Sequence, residues 1–188
     1  ATFDKSLAPQ NSIIVNGNPF LPSAIIEAVA IAAGRLSPDI GAQEIANIDI
    51  EELPSLETAE ANGELVLIVE DNLHNQEVLT RQLNLFGYVP RIANHGHEAL
   101  DLMSKHKFGL IITDCHMPVM DGFSATKAIR KLPKFGHLPI IALTANAYAE
   151  DRQRCLDAGM DDHLAKPVQK NKLFGAIVNT LASKNKGL

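Results

Sequence analysis

The chain has 188 residues, is 46% hydrophobic and carries 22 acidic against 17 basic side chains, a formal charge of −5. That length holds one domain with something extra, or two small domains. The charge leaves no basic footprint for nucleic acid or anionic lipid, and no apolar run reaches the ~18–20 residues of a membrane span.

Residues 12–15 (SIIV) suit a short strand, and residues 20–34 suit a helix with Pro22 and Ser23 at its start and Gly34 at its stop. One strand and one helix do not close a core, so residues 1–35 read as the tail fragment of an upstream domain. With no N-terminal Met, the chain is expected to begin inside a larger protein. Residues 36–63 read as a mobile acidic linker: 36–64 hold eight acidic groups and no basic one, with Pro38 and Pro54. A helical turn is expected within it near 41–47. Residues 1–64 hold ten acidic and two basic side chains; the rest of the chain holds twelve and fifteen.

From residue 64 to 185 the pattern becomes strict alternation, with residues 186–188 left as a tail. Strands are predicted at 65–69 (LVLIV), 88–92, 110–113, 138–143 and 162–165. Helices are predicted at 75–86, 96–106, 123–132, 147–158 and 169–183. Five βα units in this length imply a doubly wound α/β fold, a parallel sheet covered on both faces. The apolar first, third and fourth strands suit the centre and the more polar second and fifth suit the edges. That favours the flavodoxin-like order 2-1-3-4-5, with chemistry at the carboxyl ends of strands one and three.

Three acids fall at those ends: Glu70 and Asp71 after the first strand, Asp114 after the third. Carboxylates so gathered repel unless a cation compensates them, and hard oxygen ligands select Mg²⁺. Thr144 ends the fourth strand, and Lys166, followed by Pro167, comes after the fifth. An aspartyl nucleophile, an ion and a lysine suit covalent phosphoryl chemistry, and a hydroxyl that pulls its loop toward the phosphoryl group makes a switch. Taken singly, Glu70, Asp71 or Thr144 is equally a helix cap, and Lys166 a solvated surface residue.

The stretches LVLIVEDNLHNQEVL, IITDCHMPVMDGF, IIALTANAY and GMDDHLAKPV resemble the receiver domain of two-component signalling proteins. The steps from Asp71 to Asp114, Thr144 and Lys166, 43, 30 and 22 residues, match that family's spacing. The resemblance implies a (βα)5 receiver fold with Asp114 as phosphoacceptor. It also implies Mg²⁺ held by Glu70, Asp71, Asp114 and the backbone carbonyl of His116. Thr144 and Lys166 become the switch hydroxyl and the family lysine. Met117, Pro118, Asp121 and Gly122 form the loop after the acceptor, where Pro118 restricts the chain and Gly122 lets it turn. Glu70 stands where an aspartate is common, and His163 where an inward-rotating Tyr or Phe is common. Asn146 and the His116 side chain sit where the family tunes acyl-phosphate lifetime.

EDNLHNQEV, with Asn72 and Asn75, resembles receivers of hybrid sensor histidine kinases. That implies a histidine kinase core as donor, a histidine phosphotransfer domain as acceptor and a cytoplasmic location. No nucleic-acid or membrane contact is implied for this fragment. The acceptor's helix is expected to dock near 75–86 and the Asp114 rim, using Leu79 or Leu83 if either is exposed. Residues 12–34 resemble the end of a second, degenerate receiver, with NP where KP is usual.

Rival readings are a pseudo-receiver that only binds protein and a Mg²⁺-dependent aspartyl phosphohydrolase. Against the latter, His116 occupies the place of its second aspartate. A flavodoxin-like flavin binder is disfavoured because acids follow strand one. Cys115 and Cys155 make no CxxC and read as buried packing residues. The histidines show no metal-ligand spacing.

Overall fold

A computed structural model describes residues 53–145 and 148–185. The expected strand at 12–15, the helix at 20–34, the turn near 41–47, the 186–188 tail and Asn146 lie outside the described residues.

Three all-apolar or nearly apolar pentapeptides form the centre of the sheet: β1 (Leu65–Val69), β3 (Leu110–Asp114) and β4 (Ile140–Thr144), every residue of each buried. Chains buried on both faces must be apolar throughout, which is why they lack the alternation of a one-sided strand. The edges are β2 (Val89–Ala93) and β5 (Asp162–Ala165), both more exposed. All pairs are parallel and the order is β2-β1-β3-β4-β5, as expected. One face packs Leu65, Leu67, Val69, Ile111, Ile140 and Ala142 against helices; the other packs Val66, Ile68, Leu110, Ile112, Ile141 and Leu143.

Among the described residues, six helices accompany the strands: α1 (Leu56–Asn62), α2 (Leu73–Asn84), α3 (Gly96–Lys105), α4 (Gly122–Arg130), α5 (Ala149–Ala158) and α6 (Lys170–Asn185). Their starts follow local chemistry. Asn72 caps α2 by accepting from the His74 and Asn75 amides, so neither Glu70 nor Asp71 is spent as a cap. His95 caps α3 through Nδ1, and Asp121 caps α4. Tyr148 precedes α5 without a side-chain cap of its own. Gly159 ends α5 in the left-handed region at φ 97°. Cys115 and Cys155 are buried packing residues, with sulfurs 3.8 Å apart.

The segment expected to be a mobile linker differs at its end. Residues 56–62 form α1, capped by Ser55 at the front and by Gly63 at φ 73° behind. Ala59 is fully buried and Leu56 packs on the core. Glu60 accepts from the Lys107 amide at 2.7 Å and meets His106 Nδ1 at 3.3 Å. The acidic composition hid this short apolar stripe. Behind it the backbone runs so close to Gly109 that a Cβ there would lie 1.9 Å from the Gly63 carbonyl oxygen.

Two variants test this docking. Gly109→Ala is expected to cost about 2 kcal/mol by forced backbone displacement, read as a lower urea midpoint; an unchanged midpoint would contradict the packing. Glu60 is held below the usual carboxylate pKa, first by the Lys107 amide and then by His106, against the opposing effect of burial. A depressed folded pKa stabilises above the unfolded value of about 4.3 and is lost as pH falls through the folded value. Glu60→Gln should therefore flatten the acid limb of stability below about pH 4.5, measured by thermal unfolding across pH.

Candidate functional site

The parallel register brings the chemistry together. Val69 pairs with Thr113 and Asp114 with Leu143, so the ends of β1, β3 and β4 share one edge. Glu70 and Asp71 leave β1 at that edge, and Thr144 pairs with Ala165, one residue before Lys166. Glu70, Asp71 and Asp114 each offer an oxygen within 4.8 Å of the others. Glu70 is fully buried, Asp114 buried and Asp71 exposed.

Lys166 lies between the two buried acids. Its ammonium donates to Asp114 Oδ2 at 2.6 Å and to Glu70 Oε2 at 2.7 Å. Burial disfavours that ammonium, but the bonds and charges of Asp114 and Glu70 outweigh it and hold the Lys166 pKa above its ordinary value. The other oxygens are also engaged. The His116 amide donates to Asp114 Oδ1 at 3.2 Å. Asn75 Nδ2 and the Asn72 amide donate to Glu70 Oε1 at 3.0 and 3.3 Å. A donor set of three carboxylates, hard and anionic, fits a divalent cation such as Mg²⁺.

The loops around the acids have their own constraints. Gly122 is buried with its amide donating to the Cys115 carbonyl, and a Cβ there would lie 2.1 Å from the Asp114 carbonyl oxygen. Its φ is not positive, so close approach, not a special turn, demands glycine. Pro118 is exposed, and Val119 takes φ 68° in a tight turn closed by the Met120 amide on the Pro118 carbonyl. The Lys166–Pro167 bond is cis. Thr144 is buried, its carbonyl accepting from the Lys166 amide. His163 is half-buried on β5, its amide donating to Asp162 Oδ1 and its ring Nδ1 3.8 Å from the same oxygen.

Leu79 and Leu83 are buried core residues, which removes them as docking positions. The large apolar side chains exposed on the loops and helix start around the acids are instead Leu73, Val119 and Tyr148. Sequence reasoning missed the donors on Glu70. The signal was Asn75, five residues after Glu70 and in the first turn of a helix whose start lies just beyond it.

A family model described as "Response regulator receiver domain" matches residues 66–178. The chain belongs to the response regulator receiver family. It is homologous to receivers of sensor and hybrid histidine kinases. Sensor histidine kinase RcsC of Salmonella typhi is 42% identical over 117 residues, covering 62% of this chain and 12% of that protein. This receiver thus spans about an eighth of that relative's length. The crystal structure of the receiver domain of sensor histidine kinase PA1611 from Pseudomonas aeruginosa PAO1 is 40% identical at TM-score 0.59. It covers 63% of this chain and 97% of that one, and has magnesium coordinated in its active site cleft. The co-crystal structure of the Saccharomyces cerevisiae phosphotransfer protein Ypd1 with the Ssk1 receiver matches at 32% identity and TM-score 0.59. That match covers 64% of this chain and 90% of that one. The carboxylate cluster of this receiver is consistent with Mg²⁺-dependent phosphoaspartate chemistry.

The Lys166 ammonium sits on one oxygen each of Glu70 and Asp114, so its charge opposes a divalent cation at the carboxylate cluster. Lys166→Met relieves that like-charge repulsion and is expected to tighten Mg²⁺ binding by about tenfold, or ~1.4 kcal/mol, read by NMR titration. Weaker binding in the variant would mean that Lys166 instead holds the carboxylates in their binding arrangement.

Proposed function

We propose that this receiver takes a phosphoryl group from a phosphohistidine onto Asp114 and passes it to a histidine on a second partner. The observation that carries this reading is the single ammonium bridging Asp114 and Glu70 at one sheet edge, with Asp71 beside them. An Asp114 carboxylate oxygen attacks phosphorus, the P–N bond to the donor imidazole breaks, and the imidazole keeps the electron pair and takes up a proton.

Lys166 offsets charge on the phosphoryl oxygens, and the His116 amide holds Oδ1 of the nucleophile. Glu70, Asp71, Asp114 and the His116 carbonyl would hold Mg²⁺, which supplies further neutralisation of the phosphoryl charge when bound. Thr144 is the switch hydroxyl, positioned on the same rim, and His163 the residue whose side chain responds on β5. Pro118, Gly122 and Pro167 shape the loops that bring these groups together.

The donor in this reading is a histidine kinase core and the acceptor a histidine phosphotransfer domain, supported by RcsC and by the Ypd1–Ssk1 complex. Leu73, Val119 and Tyr148, exposed on the segments that follow β1, β3 and β4, offer apolar side chains to a partner helix that presents its histidine to Asp114. The module relays phosphate and loses it slowly to water. It belongs to a larger hybrid sensor kinase on the cytoplasmic side of a bacterial membrane, with residues 1–35 the end of a degenerate receiver and 36–55 the spacer.

Intact mass after incubation with acetyl phosphate tests the reading. One phosphoryl adduct is expected, dependent on Mg²⁺, absent in Asp114→Asn, and drained by a histidine phosphotransfer domain. An adduct that persists in Asp114→Asn, or rapid turnover of phosphomonoesters, would overturn it.

A further inference from the structure

Glu70 differs from an aspartate by one methylene, which adds ~1.5 Å of reach and another rotor. A longer carboxylate at the same backbone position has more ways to miss a cation, and holding it still costs side-chain entropy. The surroundings of Glu70 deal with that rotor. The residue is fully buried, and both of its oxygens are engaged: Oε2 by Lys166, Oε1 by Asn75 Nδ2 at 3.0 Å and the Asn72 amide at 3.3 Å.

Asn75 is itself fixed. It sits in the first turn of α2, and its amide donates to the Asn72 cap at 3.2 Å. The next residue, buried Gln76, donates from Nε2 to the Glu70 carbonyl at 2.6 Å and to Asn94 Oδ1 at 3.0 Å. Asn94 in turn donates to Glu98 at the start of α3. The first turn of α2 therefore grips residue 70 twice, at its backbone and at its carboxylate. Lys166 alone would not fix the rotamer, because it must also serve Asp114 and its charge opposes an incoming cation.

We propose that Asn75 is a positioning residue that adapts this site to a glutamate at position 70, holding Oε1 so that the carboxylate stays turned toward Asp114 and Asp71. This rests on the Mg²⁺-dependent reading above. It makes residues 70 and 75 a matched pair: an aspartate at 70 falls one bond short of the Asn75 amide and takes no benefit from it. Partners that orient metal ligands in this way typically change metal affinity by ~10–100-fold when removed.

The test is a double-mutant cycle on Mg²⁺ affinity, read by NMR titration, in wild type, Asn75→Leu, Glu70→Asp and the double variant. Leucine is close to asparagine in size and favours the helix, so it removes the donor without weakening α2. Asn75→Ala serves as a second truncation, and thermal unfolding in EDTA checks the fold of each variant. Asn75→Leu is expected to loosen Mg²⁺ by roughly tenfold with no fall in the unfolding midpoint, and to change affinity less than about twofold when residue 70 is aspartate. Equal losses in both backgrounds, or none with glutamate, would overturn the pairing while leaving the phosphoacceptor reading intact. Failure of the wild type to bind Mg²⁺ at all would overturn that reading and this one together.

Discussion

The ammonium of Lys166, shared between Asp114 and Glu70, is the interaction on which the site depends. Two buried carboxylates and an exposed third cannot stand at adjacent strand ends without a compensating charge. Lysine provides one that is compact and mobile, able to follow an oxygen as it changes hands. The fold exists, in this sense, to deliver that contact. The lysine is 96 residues from one partner and 52 from the other, and only the parallel order that places β1, β3, β4 and β5 side by side joins them.

The sheet delivers the groups and the loops set their orientation. The paired register of the three central strands carries Glu70 and Asp114 to one edge of the sheet, above the buried core. Above the sheet, orientation is a matter of hydrogen bonds: the His116 amide on Asp114, and Asn72 and Asn75 on Glu70. The close pass of Gly122 over the Asp114 carbonyl fixes the other side of that strand end. At the opposite end of β1, α1 packs against the sheet and joins the preceding chain to the domain it precedes.

Much of this was legible because it rests on period and burial. Apolar runs announced the central strands, polar edges announced β2 and β5, and acids just past the first and third strands announced the site. The residue-level partners were less legible, since they depend on distances that no spacing encodes. Asn75 reads equally as a cap or a surface polar residue until Glu70 is seen beside it. Leu79 and Leu83 lie at helical spacing, which marks one face of a helix without saying which face is inward. Gly122 suggested a turn, whereas what excludes a side chain there is a neighbouring carbonyl. The α1 helix was masked because composition averages over a segment, and a stripe as narrow as Leu56 and Ala59 vanishes among acids.

The proposed phosphoryl relay requires Glu70, Asp71, Asp114 and Lys166 to act as one cation-dependent site. Beryllofluoride, which mimics an aspartyl phosphate, reads this directly in an amide NMR spectrum recorded with and without Mg²⁺. Changes are expected at residues 70–72, 114–117, 144–145 and 165–166 only when Mg²⁺ and beryllofluoride are both present, with none of the joint response in Asp114→Asn. A wild-type spectrum indifferent to the two together, or the same joint response without Asp114, would contradict it.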